Sequence, residues 1–188
     1  MRQGGAWPRA GLPSYGIWLS CRLSSAPNAQ PADPGFPILF LGATFEMTDD
    51  QILEILRLTR TIATVGLSTS PAKVSYGVAA YLQHQGYRVI PINPRCGTIL
   101  GETAYPDLAS VPEPVDLVQV FRPAEEVPAI ARQAVEKGAK VLWMQEGIVS
   151  AEAKDIAERA GLLVVMDRCL RVEHKRLVGR RDPPERPL

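Results

Sequence analysis

The segment Thr61–Ser75 carries the residues of this chain that are best suited to chemistry. An apolar, β-branched run ends at Gly66, and a loop rich in hydroxyl side chains follows it before a helix-like pattern begins at Val74. A strand, a tight loop and a helix in this order present unpaired backbone N–H groups and a partial positive charge to a phosphate. The candidate phosphate-binding residues of this loop are Gly66, Ser68, Thr69, Ser70 and Lys73.

The loop departs from the two common nucleotide-binding fingerprints. After Gly66 it lacks the second and third glycines of G-x-G-x-x-G, and it contains no G-x-x-x-x-G-K-[ST] sequence. The alternative interpretation is an ordinary turn between a strand and a helix, with polar surface residues. The loop therefore favours phosphate binding without deciding which nucleotide is bound.

The end of the second apolar run narrows the choice of nucleotide. A dehydrogenase that uses NAD places an Asp or Glu there, which accepts a hydrogen bond from the ribose 2′-hydroxyl. This chain has Asn93-Pro94-Arg95 at that position. An arginine in place of a carboxylate suits a phosphorylated ribose, which both NADP and coenzyme A carry. The alternative is that Arg95 is a solvated loop charge.

Two later strand ends supply further candidate residues. Phe121 either flanks an adenine or covers the sheet edge, and Arg122 either pairs with a phosphate or caps the sheet end. Gln145 and Glu146 place polar groups where a pantetheine or nicotinamide arm would pass. Glu146 is an acid–base candidate, although a lone loop carboxylate is more often structural or solvated.

Strands and helices alternate from Met47 onward. Strongly apolar runs of strand length alternate with segments whose apolar residues recur at helical spacing. This alternation predicts an α/β fold, a Rossmann-like, doubly wound parallel sheet of five strands in the order 3-2-1-4-5 with helices on both faces. The predicted strands are Thr61–Val65, Tyr87–Ile92, Val115–Phe121, Lys140–Met144 and Leu162–Met166, and the predicted helices are Thr48–Arg60, Ser75–Gln85, Ala124–Lys137 and Ser150–Ala160.

Composition bounds the remaining possibilities. The chain has 188 residues with a net charge of +1, which favours neither nucleic acid nor an anionic membrane as a partner. Three widely spaced cysteines form no CxxC pair, which fits a reducing compartment such as the cytoplasm and predicts no metal site. Residues 1–46 are rich in proline and glycine and are expected to be a disordered extension or the result of a misassigned start. Residues 47–178 are expected to form the folded domain, and residues 179–188 a flexible tail.

Five segments together resemble the CoA-binding-domain family, small stand-alone proteins similar to the N-terminal domain of the succinyl-CoA synthetase α subunit. The resemblance covers about Thr48–Leu177 and implies a Rossmann-like fold that binds coenzyme A. It implies that four strand-end loops hold the ligand through Gly66, Leu67, Ser68 and Ser70; Asn93 and Arg95; Phe121 and Arg122; and Gln145 and Glu146. The segments are TIATVGLSTSPAKVSYGVAAYL, GYRVIPINP, VDLVQVFRP, GAKVLWMQEGI and GLLVVMDRCLRVEHKRL.

The chain also departs from the synthetase pattern. The synthetase's first loop contains more glycine, and its phosphorylated histidine lies in a second domain, which this chain is expected to lack. The resemblance therefore implies no ligase chemistry. No catalytic residue is predicted, and the chain is expected to be a binding, carrier or regulatory module rather than an enzyme. The alternatives are an NADP-dependent oxidoreductase and a redox protein that uses Cys169. Neither the acyl group nor a protein partner can be identified from the sequence.

Overall fold

The computed structural model describes residues 47–95 and 97–178, and the predictions for residues 1–46 and 179–188 lie outside these ranges. No helix in the described part of the chain combines the length and apolar character needed to cross a bilayer. The helices are α1 (Asp49–Leu58), α2 (Val74–His84), α3 (Val127–Lys137), α4 (Ala151–Arg159) and α5 (Leu170–Leu177). The strands are β1 (Thr61–Val65), β2 (Arg88–Ile92), β3 (Thr98–Ile99), β4 (Glu102–Thr103), β5 (Leu117–Val120), β6 (Val141–Met144) and β7 (Leu163–Val165).

Local sequence signals begin and end these helices. Helix α1 starts at a capping box in which the Thr48 side chain accepts from the Gln51 N–H and the Gln51 side chain accepts from the Thr48 N–H. The Ser150 side chain caps α4 by accepting a hydrogen bond from the Ala153 N–H in the first turn of that helix. Helix α3 follows a short 3-10 turn, Ala124–Glu126, and ends at Gly138 in the left-handed conformation.

Five parallel strands form the central sheet, in the order β2-β1-β5-β6-β7. On one face, α3 and α4 contact each other and pack on Ala63, Ile90, Val118 and Leu142 in a continuous apolar core. On the other face, α5 contacts both α1 and α2. The predicted α/β class and the parallel sheet with helices on both faces are confirmed.

The predicted strand order, however, is wrong. Counted along the chain, the five parallel strands lie in the order 2-1-3-4-5 rather than 3-2-1-4-5, because β5 pairs with β1 and not with β2. The free edge of β2 is occupied by Tyr105, whose N–H donates to the Pro91 carbonyl over 2.9 Å. Pro91 has no N–H to donate on that side, so it fits an edge strand and not a strand paired on both sides.

The observed strand order determines where the crossover connections reverse their direction across the sheet, which is the topological switch point. Crossovers leave β1 towards β2 on one side and reach β5 on the other, so the switch point lies between β1 and β5. Ligands of doubly wound sheets bind outside the carboxyl ends of the strands at this point. The loops after β1 and β5 therefore flank the expected binding position.

Two elements were not predicted. The hairpin of β3 and β4 occupies the segment after β2, and α5 occupies the charged segment after β7. Arg176 of α5 forms a bidentate ion pair with Asp49 of α1, with Nη2 and Oδ1 separated by 2.6 Å. The charged segment after β7 is thus a helix docked against α1 and α2.

Candidate functional site

Gly66 lies where β1 ends, and its position requires a glycine. Its φ angle is +84°, and a Cβ atom added to it would lie 3.0 Å from the carbonyl oxygen of Phe121 and 2.8 Å from Cδ of Arg122. The Gly66 N–H donates to the Ile92 carbonyl of β2 over 3.0 Å. The loops after β1, β2 and β5 are thereby packed together at the switch point.

The loop between Gly66 and α2 is held by its own hydroxyl groups. The Ser68 N–H donates to Oγ of Ser75 over 3.2 Å, and the Ser70 N–H donates to Oγ of Ser68 over 3.1 Å. Leu67 is fully buried, so only its backbone is available to a ligand. These contacts fix the loop in place above the start of α2.

The N-terminus of α2 has a positive electrostatic character. Its N-cap is Lys73, no side chain caps the first turn, and that turn contains no acidic residue. The first N–H groups of a helix have no intrahelical acceptor, and the helix dipole favours an anion there. Lys73 is exposed and adds a positive charge to the same end of the helix.

Asn93 joins the loops after β1 and β2. Its Nδ2 donates to the Leu67 carbonyl over 2.8 Å, and its Oδ1 accepts from the Arg95 N–H over 2.9 Å. Both ends of the amide are therefore engaged by the protein, and its role is to position these loops. The Arg95 guanidinium is exposed and makes no ion pair within the part of the chain that the structure describes.

Arg122, which follows β5, is paired with a carboxylate. Its Nε and Nη2 donate to the two oxygens of Glu126 over 2.8 and 2.7 Å. This hydrogen-bonded pair lowers the pKa of Glu126 and raises the pKa of Arg122. A ligand phosphate that contacts Arg122 must share the guanidinium with Glu126 or displace it.

The loop after β6 is held by Asp167, which follows β7. The Asp167 carboxylate accepts from the Gly147 N–H over 2.7 Å, and Asp167 has a φ angle of 54° in the left-handed region. Glu146 is exposed, whereas Gln145 retains only 3% of its surface. The two neighbouring candidates therefore differ sharply: Glu146 faces solvent, and Gln145 is enclosed.

Three polar residues of this region were missed in the sequence analysis. Ser75 and Asp167 hold loops in place, and Gln119 lies fully buried within β5. A glutamine between Val118 and Val120 was a visible signal, because a strand covered on both faces rarely carries a polar side chain without a partner. The two loop contacts depend on tertiary proximity and had no such signal.

The Cys169 and His174 side chains occupy different settings on α5. Cys169 is the half-buried N-cap residue, whereas the His174 ring is buried with Nδ1 3.0 Å from the Tyr81 hydroxyl. The Tyr87 ring meets the imidazole edge-on, with centroids 5.5 Å apart. Burial raises the pKa of Tyr81, and the nearby Arg171 partly offsets this effect. His174 contributes to the docking of α5 on α2.

The family comparison covers this whole set of strand-end loops. A family model described as a CoA binding domain matches residues 60–175, which run from the residue before β1 into α5. The chain belongs to this CoA-binding domain family. The resemblance found in the sequence is thereby confirmed, and the matched range contains every candidate site residue.

Individual proteins and a solved structure are also similar to this chain. The chain is 40% identical over 124 residues to an uncharacterized protein, YneT, of Bacillus subtilis, covering 66% of this chain and 92% of the relative. A structure of a hypothetical protein from Pyrococcus horikoshii superimposes with a TM-score of 0.70 at 37% identity, covering 74% of this chain and all of that one. An ADP-forming acetate–CoA ligase of Archaeoglobus fulgidus is 31% identical over 128 residues, which span 63% of this chain but only 19% of the ligase.

Proposed function

We propose that this CoA-binding domain binds coenzyme A or an acyl-CoA across the carboxyl edge of its sheet. The observation that carries the proposal is the uncapped N-terminus of α2 beside the hydroxyl loop opened by Gly66. It offers backbone N–H groups and the Lys73 charge to a pyrophosphate, and no acidic residue of its first turn opposes an anion.

The ribose 3′-phosphate is assigned to Arg95. Its guanidinium is exposed at the end of β2, one strand away from the Gly66 loop, and Asn93 fixes the backbone that carries it. Arginine suits a phosphate because its planar group donates two parallel hydrogen bonds. Phe121 and Arg122 lie on the other side of Gly66 and are proposed to contact the same ligand.

The arm of the ligand is proposed to run towards β6. Neighbouring strands lie about 4.8 Å apart, so three spacings, from β2 to β6, span about 14 Å along the edge. Ligands anchored at Arg95 by the 3′-phosphate then place their pantetheine arm near Gln145 and Glu146. The role proposed for the protein is that of a binding, carrier or regulatory module in which these side chains hold the ligand.

Isothermal titration with coenzyme A and dephospho-coenzyme A tests this assignment. We expect the loss of the 3′-phosphate to weaken binding about 5–30-fold, the effect of roughly 1–2 kcal/mol from a charge-assisted hydrogen bond. Arg95→Ala is expected to weaken coenzyme A binding by a similar factor and to remove the difference between the two ligands.

Arg57→Ala is the matched control for this titration. Arg57 is an exposed arginine in the last turn of α1, which leads into the amino end of β1, and its replacement removes the same charge at the opposite edge of the sheet. It is expected to bind both ligands as the wild type does. Equal affinity of the wild type for both ligands would contradict the role of Arg95.

A further inference from the structure

Two buried glutamines at the carboxyl side of the sheet have amide nitrogens without a hydrogen-bond partner among the described residues. Gln119 is fully buried and Gln145 is 3% exposed. Oε1 of Gln119 accepts from the Thr64 hydroxyl over 3.0 Å, but Nε2 of Gln119 and Nε2 of Gln145 are buried without a hydrogen-bond partner among the described residues. Buried amide donors are seldom left unpaired, so this pair calls for an explanation.

The strand register places these side chains in one row. Gln119 alternates with Val118 and Val120, which pack towards α3 and α4, so Gln119 lies on the opposite face, under α1, α2 and α5. Trp143 is its register partner in β6. The Gln145 N–H donates to the Val120 carbonyl over 3.3 Å, which extends the ladder past Met144.

Gln145 therefore lies two residues beyond Trp143, on the same face as Gln119. Thr64, Gln119 and Gln145 form a row of polar side chains, hereafter the polar row, that runs from the interior of the sheet to its carboxyl edge. The edge end of the polar row lies in the loop after β6, where Asp167 fixes the neighbouring Gly147.

The polar row lowers the stability of the fold unless a hydrogen-bond acceptor pairs with its buried amide N–H groups. An unpaired buried N–H carries the full desolvation penalty of the group, and leucine in the same space would carry none. One acceptor at the edge can satisfy the whole row. If the Gln145 amide turns by half a revolution, its oxygen can face Gln119 and its N–H can face the edge, since the terminal torsion of glutamine is soft.

We propose that the polar row is a binding site for a carbonyl oxygen of the ligand's pantetheine–acyl end, with Gln145 as the donor. This inference rests on the proposed function, which brings that end of the ligand to β6. A neutral amide donor in an enclosed setting suits a neutral carbonyl better than a phosphate, whose charge would be expensive to bury there. Gln119 and Thr64 act through Gln145 and are positioning residues.

Titration with three ligands tests the proposal. Coenzyme A, acetyl-CoA and S-ethyl-CoA share the pantetheine arm, but S-ethyl-CoA lacks the acyl carbonyl. We expect Gln145→Leu to bind acetyl-CoA about 10-fold more weakly than the wild type, the effect of losing one hydrogen bond in an enclosed site. Gln133→Leu, the same substitution on the half-buried face of α3, is the control and is expected to bind all three ligands as the wild type does.

The pattern across the ligands identifies the carbonyl. A loss confined to acetyl-CoA assigns Gln145 to the acyl carbonyl, and an equal loss for all three assigns it to an amide carbonyl of the pantetheine arm. Unchanged binding of all three by Gln145→Leu would overturn the polar row as a ligand site while leaving the proposed function intact. A wild-type protein that binds none of them would overturn both.

Thermal unfolding without ligand separates this role from a structural one. Because Nε2 of Gln145 is buried without a hydrogen-bond partner among the described residues, Gln145→Leu is expected to raise Tm by about 4 °C or more. A lower Tm together with unchanged binding of all three ligands would show that the amide serves only the fold and would overturn the proposal. Stability gained together with affinity lost is the result that the polar row predicts.

Discussion

The substitution Gly66→Ala tests how closely the loops after β1 and β5 are packed. The added methyl group meets two obstacles. Its backbone must keep a φ angle of +84°, and its Cβ must lie 3.0 Å from the Phe121 carbonyl oxygen and 2.8 Å from Cδ of Arg122. The Arg122 side chain could move away from the added methyl group, but Glu126 holds the Arg122 guanidinium with two hydrogen bonds.

Both costs can be estimated from general magnitudes. A left-handed conformation costs a non-glycine residue about 1–2 kcal/mol. Forcing a methyl group into filled space costs about 1–3 kcal/mol. The free energy of unfolding of Gly66→Ala is therefore expected to fall by about 2–5 kcal/mol, and Tm to fall by about 10 °C.

Gly138→Ala is the matched control, because Gly138 also has a positive φ angle, +74°, but has no atom within 4 Å of an added Cβ. Urea unfolding of both variants should show that Gly66→Ala costs at least about 1 kcal/mol more, and combining Gly66→Ala with Glu126→Gln should recover part of that excess because Arg122 is freed. Equal costs for the two glycine substitutions would refute the close approach at the switch point.

Three further predictions concern side chains around the site. Asn93→Ala removes two hydrogen bonds between loops and is expected to lower the free energy of unfolding by about 1–3 kcal/mol in urea titrations, an expectation that an unchanged midpoint would contradict. Glu126→Gln, which removes the carboxylate that competes for Arg122, should raise the affinity for coenzyme A about 2–5-fold in low-salt calorimetry, and weaker binding would instead show that Glu126 orients the guanidinium. Arg88 lowers the pKa of Glu113, so the pair stabilises the fold above the ordinary glutamate pKa and loses this effect as the pH falls through the lowered value. The stability difference between wild type and Arg88→Gln should thus shrink below about pH 4, and a difference independent of pH would be the contrary result.

Much of the fold follows from patterns of short range. The apolar runs and helical periodicities predicted each of the five parallel strands and four of the helices, because burial on both faces of a sheet demands continuous apolar sequence. The strand order depends on pairing between residues far apart in the sequence, and Pro91 carries a local signal for the position of β2. Pro91 cannot donate on the outer side of β2, and that property alone favours an edge position.

The unpredicted elements lacked a periodic signal or were obscured by charge. Strands β3 and β4 have two residues each, too few to show an alternation. In α5, charged side chains surround the buried Leu170 and His174, and Arg176 forms an ion pair with Asp49 of α1. Asp49 lies far from Arg176 in the sequence, so a local sequence pattern could not predict this pairing.

In the candidate site, too, features with a local sequence signal could be predicted and features that depend on tertiary contacts could not. The backbone features of the Gly66 loop and α2 could be predicted, since a strand, a glycine and a helix start are local. The pairing of Arg122 with Glu126, the two contacts of Asn93 and the unpaired amide of Gln119 became visible only in three dimensions. Sequence therefore indicated where a ligand would bind, and structure indicated which side chains are available to it.

Native mass spectrometry with coenzyme A and NADP in equal amounts tests the central claim most directly. Both ligands carry a phosphorylated adenosine, but coenzyme A has the phosphate at the 3′ position and carries the pantetheine arm. The predicted result is a complex of the folded chain with coenzyme A, which Arg95→Ala weakens and Arg57→Ala does not. A complex with NADP in its place, or no complex with either ligand, would contradict the proposal.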